Sequence, residues 1–136
     1  MKTLILKGMG CLAFFLISSL AFAQTTNLVV SNSTDCYYYV KAKATNSTNC
    51  DGCTGVACIP PNTEVAISPC GGEDLNWNAI EIAPADQNCR ECERPVTVSR
   101  LFSCFPYPNT ATGHHCDGNC ATFTADFSTA NTLLIY

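Results

Sequence analysis

Ten cysteines crowd the 113 residues that follow Ala23, roughly 9 in every 100, and this density constrains the fold more than any other feature of the chain. They are Cys36, Cys50, Cys53, Cys58, Cys70, Cys89, Cys92, Cys104, Cys116 and Cys120. A single domain of this length buries a modest core, and cross-links are the usual supplement. Whether the thiols are oxidised depends on the compartment.

The start of the chain bears on that. Residues 1–23 carry Lys2 and Lys7, an apolar run over 11–20, and small residues at Ala21 and Ala23, the three parts of an export signal. The run is broken by Ser18 and Ser19 and is shorter than the ~20 residues of a spanning helix. We therefore expect a signal peptide over 1–23, a single domain over 24–136, and no transmembrane anchor once the leader is gone. Cys11 would leave with the leader. A secreted, periplasmic or cell-surface location is oxidising, and ten thiols are an even number, so all ten are expected in disulfides. Ten thiols can pair in roughly 900 ways, and the spacing does not choose among them.

Polar alternation and turn residues divide the mature chain into about seven short strands, 27–31, 37–45, 63–68, 76–83, 96–103, 121–127 and 132–136, with no amphipathic helix. The clearest is 37–45, where Tyr38, Val40, Ala42 and Ala44 alternate with Tyr37, Tyr39, Lys41 and Lys43. The lysines mark the wet face. Segments 46–62, 69–74, 84–95 and 106–119 are rich in Gly, Pro, Asn and Asp and read as long loops. The expected fold is all-β: a small, disulfide-rich antiparallel β-sandwich whose long loops are cross-linked.

Charge argues against nucleic acid. Without the leader, five basic side chains face eleven acidic ones, a net charge of −6, and no basic cluster is large enough to neutralise several phosphates.

Chemistry is harder to place. Two CxxC pairs, Cys50/Cys53 and Cys89/Cys92, and the run His114-His115-Cys116-Asp117-Gly118-Asn119-Cys120 resemble zinc-ligand spacing, so His114, His115, Cys116 and Cys120 form the alternative metal set. Outside the cell disulfides compete for the same sulfurs, and we expect no cofactor. A small hydrolase would draw on His114 or His115, or on the close carboxylates Glu73/Asp74 and Glu91/Glu93, but no GxSxG, HExxH or phosphate-cradling loop accompanies them. Aromatic side chains make the stronger case: Tyr37 and Tyr39 share the lysine face, and Trp77 joins an outer face if Ile80 and Ile82 point inward. Flat rings on a sheet stack on sugars or anchor proteins. The expected role is thus a non-catalytic binding domain for an extracellular glycan or protein. The alternative is a structural subunit that self-assembles through its terminal strands. The repeat Asn32-Ser33-Thr34 and Asn46-Ser47-Thr48 reads as two turns around the 37–45 strand and also fits the N-glycosylation pattern.

Overall fold

A computed structural model describes residues 26–46, 50–71, 75–101 and 103–136; the leader assigned to 1–23 and the Glu73/Asp74 pair lie outside the described residues. The described residues form nine strands in chain order: β1 (Leu28–Asn32), β2 (Tyr37–Thr45), β3 (Gly52–Ile59), β4 (Thr63–Ile67), β5 (Asn76–Ala85), β6 (Val96–Ser99), β7 (Thr110–His114), β8 (Thr122–Asp126) and β9 (Thr132–Ile135), with a 3-10 turn at Gly118–Cys120. They form two sheets, β4-β1-β9-β8-β7 and β3-β2-β5-β6. The inner faces meet in one core. Tyr38 of β2 lies 4.9 Å from the Phe123 ring of β8, and Leu28, Val30, Leu133 and Ile135 are sealed against Val40, Ile80 and Ile82.

β2 follows its sequence pattern, with Tyr38, Val40, Ala42 and Ala44 fully buried and the tyrosines and lysines between them facing out. The antiparallel expectation holds for every pairing but one: β1 runs parallel to β9, from Val29 opposite Thr132 to Asn32 opposite Ile135. Both terminal strands are therefore internal to their own sheet, β1 between β4 and β9 and β9 between β1 and β8. Neither keeps a free edge.

Two strands fall in segments expected to be loops, β3 in 46–62 and β7 in 106–119. Both are sheet edges, where one neighbour suffices and small residues are tolerated. β3 contains Gly52 and Gly55, so no alternation of large apolar residues announces it. Its glycines are needed: a Cβ on Gly55 would stand 2.7 Å from Ile67 Cγ2 and 3.1 Å from the Trp77 ring, and one on Gly52 would collide with the Ala44 carbonyl. On β7 a Cβ at Gly113 would come within 2.6 Å of the Phe123 ring, its cross-strand partner. Tertiary packing, not local preference, makes these strands.

All ten described cysteines are paired: Cys36–Cys120, Cys50–Cys104, Cys53–Cys70, Cys58–Cys89 and Cys92–Cys116. Three of the bridges hold β3 or its approach. The edge strand with the weakest sequence signal is thus the most heavily fastened, since a cross-link limits the freedom it regains on opening. Cys36–Cys120 lies in the core and ties the turn before β2 to the turn before β8.

The first Asn-Ser-Thr repeat is a turn. Asn32 is 2 % exposed, its Nδ2 donates to the Cys36 and Pro60 carbonyls at 2.8 Å each, and its Oδ1 accepts from Thr34 N at 3.0 Å. The nitrogen a glycan would be joined to is committed inside the fold. Residues 47–49 of the second copy are outside the described residues.

Candidate functional site

The outer face of the four-stranded sheet carries the aromatic and charged side chains that β2 pushes outward. Antiparallel register sets Lys41 opposite Glu81 and Val56, Lys43 opposite Thr54 and Ala79, and Glu81 opposite Thr97. Lys41 Nζ lies 3.0 Å from Glu81 Oε1 and 2.8 Å from Glu91 Oε1, and these two hydrogen bonds, Glu91 first, hold its ammonium above the usual lysine range. Lys41 therefore links the sheet to the loop after β5. The same ammonium sits 5.5 Å from the Tyr39 ring.

A second loop closes the other side. Cys50–Cys104 anchors it, Phe105 N donates to the Leu101 carbonyl at 2.9 Å, and Ser99 N donates to the Pro108 carbonyl at 2.8 Å. The chain between carries Phe105-Pro106-Tyr107-Pro108, whose prolines stiffen it. Lys43 Nζ lies 5.2 Å from the Phe105 ring, and Tyr107 is 46 % exposed. Between loop and sheet is a concavity of about 290 Å³, floored by Lys43, Ala79 and Glu81 and walled by Phe105 and Tyr107. It is open to solvent and mixed in polarity.

The aromatic residues singled out from the sequence separate. Tyr39 stands on this face beside the concavity. Tyr37 lies at the end of the sandwich, where it lines a different cavity of about 510 Å³ with Asp35, Asp86, Asn88, His115 and Asp117. Trp77 is in the core, 2 % exposed, with Nε1 donating to the Thr26 carbonyl at 2.8 Å. The reason is a β-bulge: register passes from Lys43 opposite Ala79 to Ala44 opposite Trp77, leaving Asn78 extra. That one residue reverses the alternation, so Trp77 and Ile80 both point inward. Asn78 is held by Nδ2 hydrogen bonds to the Thr45 carbonyl and Oγ1.

The histidines diverge too. His114 is exposed on β7, whereas His115 is buried. His115 Nδ1 accepts from Asp117 N at 2.9 Å, which leaves Nε2 to donate to the Tyr37 carbonyl at 3.0 Å. The metal set read from the sequence is not assembled: Cys120 is bonded to Cys36 in the core and His114 faces away, while Cys92, distant in sequence, lies beside His115 and Cys116. Of the carboxylates, Glu91 is engaged by Lys41 and Glu93 Oε1 accepts from Arg94 N.

Sequence reasoning found β2's outer face but missed Phe105 and Tyr107. The signal was present in the alternation of aromatic residues with proline directly after Cys104; what it lacked was the pairing with Cys50 that lays the loop over β2. No protein-family model, curated protein or solved structure matches the chain. No helix among the described residues is long and apolar enough to cross a membrane.

Proposed function

We propose that this is an exported, non-catalytic binding domain whose outer sheet face, between the Cys104 loop and the loop after β5, holds an extracellular carbohydrate. The leader-like start and the five bridges support export. The carrying observation is Tyr107, 46 % exposed, lining one concavity together with Lys43, Thr97 and Glu81. A pyranose presents an apolar C–H face, which stacks on an aromatic ring, and rim hydroxyls, which need donors and acceptors in one plane. Strands fixed in register and a loop fixed by a disulfide lose little freedom on binding. A protein partner is the competing reading, favoured by Val56, 55 % exposed on the neighbouring edge strand.

A glycan array on the purified domain, followed by calorimetry with the best ligand, tests this. Tyr107→Ala is expected to weaken binding about 5- to 30-fold, the equivalent of ~1–2 kcal/mol for a stacked ring, with Lys43→Ala weaker by a smaller factor. Tyr37→Ala, at the far end of the sandwich, leaves it unchanged. Glycan binding indifferent to Tyr107, or binding only to proteins through Val56, would refute the carbohydrate assignment.

A further inference from the structure

The Cys92–Cys116 bridge differs from the other four. Both its cysteines are exposed, whereas every other bridge has at least one end partly or fully buried. It also has a histidine against it: His115 Nδ1 is 3.6 Å from Cys116 Sγ, and a ring nitrogen of His115 and the sulfurs of Cys92 and Cys116 all lie within 4.8 Å of one another. We infer that this bridge is a reducible clasp over a latent soft-metal site, in which Cys92 Sγ, Cys116 Sγ and His115 Nδ1 bind a thiophilic divalent ion such as Zn(II) or Cd(II) once an external dithiol has opened it.

Three pieces of geometry carry this. Tetrahedral legs of ~2.3 Å to sulfur and ~2.05 Å to nitrogen put an S and an N ligand about 3.6 Å apart, the spacing Cys116 Sγ and His115 Nδ1 already have. Two thiolates on one such ion stand about 3.8 Å apart against ~2.05 Å in a disulfide, so the sulfurs need separate by less than 2 Å. His115 is also oriented as a ligand: its Nε2–H is held by the Tyr37 carbonyl, which fixes the lone pair on Nδ1, the side facing the sulfurs. A backbone carbonyl on the remote ring nitrogen is the usual support of a metal-bound histidine. The Asp117 N–H that now occupies Nδ1 belongs to an exposed turn and is displaced by the ion.

The chemistry balances. A dithiol attacks the bridge and leaves as its own cyclic disulfide, and the two electrons it supplies convert the Cys92–Cys116 bond into two thiols. The divalent ion then displaces the two thiol protons and takes the neutral imidazole as third ligand, with water in the open fourth position. Cys58–Cys89 and Cys36–Cys120, three and four residues from the opened ends, keep both segments in place.

Limited treatment of the folded exported protein, residues 24–136 without Cys11, with dithiothreitol, followed by alkylation and peptide mapping, is expected to label Cys92 and Cys116 before any other pair. Native mass spectrometry with Cd(II) should then show one ion bound to the two-thiol form, with a thiolate-to-metal charge-transfer band that the oxidised form lacks. His115→Gln keeps the order of reduction and weakens Cd(II) by about tenfold or more. Circular dichroism and the four remaining bridges certify the fold of that variant. Opening of a different bridge first, equal Cd(II) binding by the oxidised protein, or unchanged affinity in folded His115→Gln overturns the inference.

Discussion

Replacing Cys36 and Cys120 together by alanine removes the bridge that closes the longest stretch of sequence, a separation of 84. Taken alone, a loop of that length withdraws about 4.6 kcal/mol of entropy from the unfolded chain, against about 3.1 kcal/mol for the 17-residue separation of Cys53–Cys70. Topology lowers the first figure. Cys50–Cys104 lies inside the long loop and short-circuits it, so that only about 30 residues separate the two ends, and the entropic contribution falls to about 3.7 kcal/mol. Packing raises it again: Cys36 and Cys120 are 3 % and 6 % exposed in the core, and two lost sulfurs add about 1 kcal/mol each. The expected cost is about 5–6 kcal/mol, against about 3 kcal/mol for Cys53→Ala with Cys70→Ala, whose side chains are only partly buried. Guanidinium unfolding without reductant measures both, with fluorescence of the buried Trp77 as the probe. Equal costs, or the reverse order, would refute both the nested-loop reasoning and the core position of the bridge.

Two further outcomes follow from the turns after β5 and β8. Cys89 holds φ at 59°, a left-handed conformation that costs a residue with a Cβ, and it does so within the turn closed by Asp86 N to the Arg90 carbonyl. With the bridge removed by Cys58→Ala, Cys89→Gly should therefore be more stable than Cys89→Ala by about 0.5–1 kcal/mol in the same unfolding assay, and parity would mean the loop relaxes out of that conformation. Asp86 Oδ1 accepts from Arg90 N at 3.0 Å and Asn88 N at 2.8 Å, which holds its carboxyl below the usual aspartate range, and Asp126 is lowered likewise by the Ser128 hydroxyl and amide. Folded values below the unfolded ones mean that this stabilisation is complete above about pH 4 and lost as pH falls through the folded values. The wild-type melting temperature should accordingly drop more steeply below pH 4 than that of Asp86→Asn with Asp126→Asn; coincident profiles would show that these turns contribute nothing.

Composition and alternation alone determined that this chain is a small all-β domain stapled through ten cysteines, because both depend only on counts and on a two-residue period. The same period placed β2's lysines and tyrosines outside and Tyr38 and Val40 inside, where the register runs unbroken. Tertiary structure decided the rest. One extra residue at Asn78 turned Trp77 inward, a partner on one side made strands of the glycine-bearing edges β3 and β7, and bridge partners far apart in sequence laid Phe105 and Tyr107 over β2 and set Cys92 beside His115. These are long-range choices. A bulge, an edge pairing or a disulfide partner is fixed by the total fit of the two sheets, and no local stretch of sequence carries that information.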